Sequence, residues 1–300
     1  MALLHFLLLL ACTAAAIAQS DRKPPPTRAS VSYGPHERNT IDLWTANSDA
    51  PTPLVIFIHG GGWAGGDKAD APAKLVTWML AKGISVASIN YRYSTIAPLP
   101  APVHDAARAV QFLRSKAYEW KLDAKRFGAY GISAGGCTVL WLACHGDLAD
   151  PLSKDPVARE STRLRCAVGM SPQTCLEPDI VVGWVGEQIL NHAMIARAVG
   201  VKKGEDIRKP RPEWIKLLHE FSPLTHVSKD DPPILISNPR IDPLPATSAG
   251  SAIHHAMLGM EFQKRTKEVG ATCILRNEAQ PHPDTPTPES FLLQHLNAKP

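Results

Sequence analysis

Phe127-Gly128-Ala129-Tyr130-Gly131-Ile132-Ser133-Ala134-Gly135-Gly136 is the stretch on which the reading of this chain turns. Phe127 to Ile132 is a short, strand-like apolar run, and Ala134 to His145 has a helical pattern whose inward face carries Cys137, Leu140, Trp141 and Cys144. Between them stands G-x-S-x-G-G, a sharp strand-to-helix turn in which small neighbours let the chain hold a strained conformation and project a serine hydroxyl from the end of the strand. A glycine-rich helix start whose serine is only an N-cap would leave the same letters. What surrounds the turn therefore decides between the two.

On either side, strands alternate with helices. Ser30 to Tyr33 and Thr40 to Thr45 have strand character, and Leu54-Val55-Ile56-Phe57-Ile58 reads as a strand buried on both faces. A helix is expected over Ala71 to Lys82, a strand over Ile84 to Asn90, a helix over Val103 to Lys121 and a strand over Cys166 to Met170. Strand Pro233 to Ser237, helix Ala246 to Val269, strand Thr272 to Arg276 and helix Pro288 to Leu296 complete the series. Such alternation demands crossover connections, so the fold class is α/β with a mainly parallel, doubly wound sheet. The alternation breaks between Cys175 and Pro232, where helical stretches at Trp184 to Val199 and Pro212 to Glu220 imply a small cap-like insertion, about residues 176–232.

The 300 residues, 44% hydrophobic, suffice for one core and one catalytic domain, residues 29–300. A net charge of +4 with scattered Lys and Arg speaks against nucleic-acid or membrane-surface binding. Residues 1–18 read as a signal peptide, with the apolar run Leu3 to Leu10 and Ala16-Ile17-Ala18 as the cleavage pattern, so the mature protein is expected to be secreted or periplasmic. A competing reading makes Leu9-Leu10-Ala11-Cys12 a lipoprotein box, with a lipid on Cys12. Residues 19–28, with Lys23-Pro24-Pro25-Pro26, read as an extended linker. Cleavage leaves Cys137, Cys144, Cys166, Cys175 and Cys273, with no C-x-x-C pair and hence no metal signature; Cys166 and Cys175 could pair in an oxidising compartment.

At the end of the strand Leu54 to Ile58 stands His59-Gly60-Gly61-Gly62-Trp63. Acyl transfer passes through an oxyanion, and glycines allow backbone N–H groups to approach one closely. A phosphate loop would require G-K-[ST], whereas the chain has Gly66-Asp67-Lys68-Ala69. HGGGW, Asn90-Tyr91-Arg92 and GISAGG together resemble the α/β-hydrolase esterases and lipases, particularly their acetyl-esterase-like and hormone-sensitive-lipase-like branches, over roughly Leu54 to Leu296. The resemblance implies an α/β-hydrolase fold, Ser133 as nucleophile, oxyanion N–H groups from Gly61, Gly62 and Ala134, and a bracing role for His59.

It also implies the chain order nucleophile, acid, histidine. His254 and His255 fall inside the helix expected from Ala246, and His295 ends the last one, which leaves His282 in the loop after the strand Thr272 to Arg276 as the expected base. Asp242, in the loop after the strand Pro233 to Ser237, is the expected acid. The implied activity is serine carboxylic-ester hydrolysis through an acyl-enzyme, on small-acyl or carbohydrate-linked esters, with no metal or cofactor required. An amidase of the arylformamidase type and a non-catalytic binding protein on the same fold are the alternatives.

Overall fold

The computed structural model of the protein describes residues 22–239 and 241–297; the expected signal peptide and Cys12 lie outside the described residues. In chain order the elements begin with β1 (Arg28–Ser32), β2 (Thr40–Trp44), β3 (Thr52–Ile58), α1 (Ala73–Ala81) and β4 (Ser85–Ile89). They continue with α2 (Ala101–Ser115), β5 (Leu122–Ile132), α3 (Ala134–Cys144) and β6 (Cys166–Met170). The insertion contributes α4 (Pro178–Val185), α5 (Ala193–Ala198) and α6 (Pro212–Glu220). The chain closes with β7 (Ile234–Asn238), α7 (Ala249–Ile253), α8 (Ala256–Val269), β8 (Cys273–Asn277) and α9 (Pro288–Asn297).

Eight strands form one sheet in the order β1-β2-β4-β3-β5-β6-β7-β8, antiparallel at β1-β2-β4 and parallel from β4 to β8. β3 and β4 are buried along their whole length, as expected of strands covered on both faces. One face of the sheet packs against α2, α3, α8 and the insertion through Ile56, Ile58, Val110, Leu140 and Phe262. The other packs against α1 and α9 through Val55, Phe57, Met79, Phe291 and Leu292. Among the described residues no helix is long and apolar enough to cross a membrane.

Several expectations are corrected. The helix expected over Val103 to Lys121 ends at Ser115 in a turn that brings Lys121 to φ 54°, just before β5. Trp184 to Val199 is interrupted because Gly186, at φ 89°, turns the chain between α4 and a short 3-10 turn. Within the segment expected as an extended linker, Lys23 Nζ donates to the carbonyl oxygens of Ala69 (2.6 Å) and Ala71 (3.1 Å), and Pro24 O accepts from Trp44 Nε1 at 2.7 Å. The helix expected over Ala246 to Val269 is broken at His254-His255, with consequences for the site. Cys166 and Cys175 are both buried free thiols rather than a pair.

Candidate active site

Ser133 sits between the end of β5 and the first residue of α3 with φ 54° and ψ −120°, a conformation costly for a residue with a Cβ and one that aims its side chain out of the turn. Its neighbours show why the turn needs glycine. A Cβ on Gly131 would lie 2.2 Å from the Gly135 carbonyl oxygen, and one on Gly135 would lie 2.1 Å from that of Ile58. The first turn of α3 can therefore press against the C-terminal end of β3 only without side chains there. Ser133 N–H donates to Met170 O at 2.8 Å, which fastens the turn to β6.

The glycine loop after β3 is held over the same spot. Gly61 and Gly62 have φ of 84° and 60°, and a Cβ on Gly60 would come within 3.3 Å of Ser133 Cβ. Tyr91 Oη donates to the carbonyl oxygens of His59 (2.9 Å) and Gly60 (3.0 Å), and its ring stacks on His59 at 4.3 Å. Buried Trp63 donates from Nε1 to Thr138 Oγ1 at 3.0 Å, pinning the far end of the loop to α3. His59 is buried with Nδ1 3.0 Å from Gly60 O, and burial lowers its pKa, which favours the neutral ring. Arg92 clasps Asp105 with Nη2 2.6 Å from Oδ1, fixing the chain just after Tyr91.

The imidazole that meets Ser133 belongs to His254, with Oγ and Nε2 2.8 Å apart. His254 caps the C-terminus of α7, and His255 caps the N-terminus of α8 by accepting from Met257 N–H on Nδ1 at 3.0 Å. His255 Nε2 then carries the proton and donates to Asp242 O at 2.8 Å. Because the chain is non-helical across this junction, the adjacent rings point to different partners. His254 Nδ1 lies 3.1 Å from the carbonyl oxygen of Gly250, one turn back. A carbonyl only accepts, so Nδ1 holds the proton and Nε2 presents its lone pair to the serine hydroxyl. Burial lowers the His254 pKa below the usual 6.5, with the Gly250 carbonyl acting in the opposite sense.

The site thus differs from the expected set at its histidine. His282 is 72% exposed in the loop between β8 and α9, with Nδ1 3.7 Å from the Asp284 carboxylate and accepting from Asp284 N–H at 3.3 Å. Asp242 is brought to the site: it lines a cavity of about 440 Å³ with Ser133, Ser171, Ser248, Gly250 and His254. A second cavity of about 380 Å³ is lined by Gly61, Gly62, Ser133, His192, Met194, Arg197 and His254, so α5 of the insertion faces the glycine loop across Ser133. Ala134 opens α3 and its N–H has no partner within the helix.

Comparison with known proteins bears on this arrangement. The BD-FAE family model matches residues 41–257, which hold the glycine loop, Ser133, Asp242 and His254. The chain belongs to the BD-FAE family. The same match makes it a member of the α/β-hydrolase esterases expected from the motifs. It is 26% identical over 218 residues to the probable carboxylic ester hydrolase LipM of Mycobacterium tuberculosis, covering 71% of this chain and 48% of that protein. It is 30% identical over 148 residues to the probable isoprenylcysteine alpha-carbonyl methylesterase ICMEL1 of Arabidopsis thaliana, covering 49% of this chain and 31% of that one. The BD-FAE chain thus spans about half or less of these curated relatives. Its fold is similar to that of an acetyl ester-xyloside bifunctional hydrolase from Caldicellulosiruptor lactoaceticus, with a TM-score of 0.67 at 21% identity over 86% of this chain and 87% of that one.

Proposed function

We propose that this chain is a serine carboxylic-ester hydrolase in which Ser133 is the nucleophile and His254 its general base. The observation that carries the reading is the 2.8 Å contact between Ser133 Oγ and His254 Nε2 on a strained turn beside a glycine loop. His254 Nε2 takes the hydroxyl proton as Oγ attacks the ester carbonyl carbon. The carbonyl electrons move onto oxygen, and the N–H groups of Gly61, Gly62 and Ala134 are the candidate donors to that oxyanion. Collapse expels the alcohol, which takes the proton from His254. Water, deprotonated by the same ring, then releases the acid and restores Ser133.

An ester has two arms, and the two cavities share Ser133 and His254. Each arm has a cavity of its own beside Ser133, and the likeness in fold to an acetyl ester-xyloside hydrolase supports small-acyl or carbohydrate-linked esters as the substrate class. Purified protein should hydrolyse p-nitrophenyl acetate and butyrate faster than long-chain homologues, and a fluorophosphonate should add its mass at Ser133. Turnover of formylkynurenine with no turnover of any ester would replace this reading by the amidase one.

A further inference from the structure

Away from the nucleophile, at the opposite end of α3, three side chains converge that the proposed reaction does not use. His145 follows the last residue of α3, Glu220 ends α6, and His226 ends the short 3-10 turn Pro223–His226. Their ligand atoms all lie within 4.8 Å of one another. His145 Nε2 is 3.3 Å and His226 Nε2 is 3.8 Å from Glu220 Oε1. For tetrahedral zinc with bonds of about 2.0–2.1 Å, neighbouring ligand atoms stand roughly 3.3–3.4 Å apart. The first edge already has that length and the second is a few tenths of an ångström longer.

We infer that His145, Glu220 and His226 form a site for a divalent transition metal of zinc type, one that joins the nucleophile helix to the insertion. The orientation of the rings supports this. His145 Nδ1 is 2.8 Å from Gly146 O, so Nδ1 donates to that carbonyl and Nε2 is the ring atom that faces Glu220, the orientation in which metal-bound histidines are held. The ring is held by stacking on Trp141 at 4.2 Å and 23°, and Trp141 Nε1 donates to Glu220 O at 2.8 Å, so a helix residue positions both a ring and the backbone of a second ligand. His226 Nε2 lies 2.5 Å from the same Glu220 carbonyl. Metal binding shifts the His226 proton from Nε2 to Nδ1, and the ring exchanges a hydrogen bond for a coordinate bond.

Two imidazoles and one carboxylate suit zinc and its neighbours; magnesium and calcium take oxygen ligands. Glu220 is 47% exposed, so an entering ion and a completing water have access. Ser133 and His145 stand at opposite ends of α3, on the order of 18 Å apart at about 1.5 Å rise per residue, too far for the ion to touch the ester. Its consequence is structural: it clamps α6 and the following turn to α3. The ligands are separated by 74 and 5 intervening residues, so no sequence motif announces them.

The test is calorimetric titration of the metal-free full chain with Zn²⁺, repeated on Glu220→Gln and His226→Ala, with His254→Ala controlling for binding at the nucleophile and the adjacent His192. Expected are about one Zn²⁺ per chain, a higher melting temperature with Zn²⁺ than without, loss of both in Glu220→Gln and His226→Ala, and retention of both in His254→Ala. Cobalt substitution should give the visible absorption of a tetrahedral site. No Zn²⁺ binding by the full chain, or binding that survives both Glu220→Gln and His226→Ala, would overturn the inference. Far-ultraviolet circular dichroism of each variant separates loss of the site from loss of the fold.

Discussion

Ser133 Oγ and His254 Nε2 lie 2.8 Å apart although 121 positions separate the two residues in the chain. The contact depends on two local departures from regular structure. Ser133 occupies positive φ between β5 and α3, and His254 occupies the junction at which α7 stops and α8 begins. Each departure is held by specific contacts: the glycine-lined approach of α3 to β3 for the first, and for the second the His255 ring, which bonds Asp242 O and caps α8 at Met257 N–H.

The glycines can be told apart by stability. Gly135→Ala places a Cβ against the backbone of Ile58 and His59 and should cost about 1–3 kcal/mol, with activity lost as the turn is displaced. Gly183, exposed near the end of α4, should behave in the opposite way, because a Cβ added there would meet nothing within 4 Å. Gly183→Ala should stabilise by about 0.5–1 kcal/mol through lower unfolded-state entropy. Urea denaturation of both variants checks the pair; equal and small effects would contradict the packing described for the turn.

Most of the fold was legible because buried parallel strands leave apolar runs and the turn at Ser133 leaves glycines at fixed spacing. β3 and β6 fall within a residue or two of their expected spans. The histidine was not legible. Ala249 to Val269 carries apolar residues across His254-His255 with neither Pro nor Gly at the break, so periodicity reads one helix. What marks the break is His255, whose ring reaches Asp242 O and caps α8, while a local Ser248–Ser251 capping box sets where α7 starts. A capping serine is visible in sequence, but a second cap six or seven residues later made by a histidine ring is not a signal that composition carries.

The pH profile follows from the surroundings of His254. In the proposed reaction its neutral form is the base, so kcat/KM should rise with pH through the pKa of the ring and then level off. Burial lowers that pKa, which moves the acidic limb below the usual 6.5 and keeps the enzyme active at lower pH than an exposed imidazole would allow. A limb displaced above 6.5 would instead indicate a carboxylate stabilising the protonated ring.

Asp242 gives an independent reading of the same question. With Nδ1 held by the Gly250 carbonyl, Asp242→Asn should keep kcat/KM within about tenfold, the loss reflecting a weaker field around the imidazolium. A loss near 10⁴-fold with the fold intact would mean that the carboxylate, rather than the carbonyl, orients the ring during turnover.

The most direct test compares two histidine variants on one short-chain p-nitrophenyl ester. His254→Ala should lower kcat by about 10⁴- to 10⁶-fold, as loss of the base does in a serine hydrolase, while His282→Ala, altering an exposed loop side chain, should stay within about twofold. The reverse pattern, with His254→Ala active and His282→Ala inactive, would contradict the assignment of His254 as the base of Ser133.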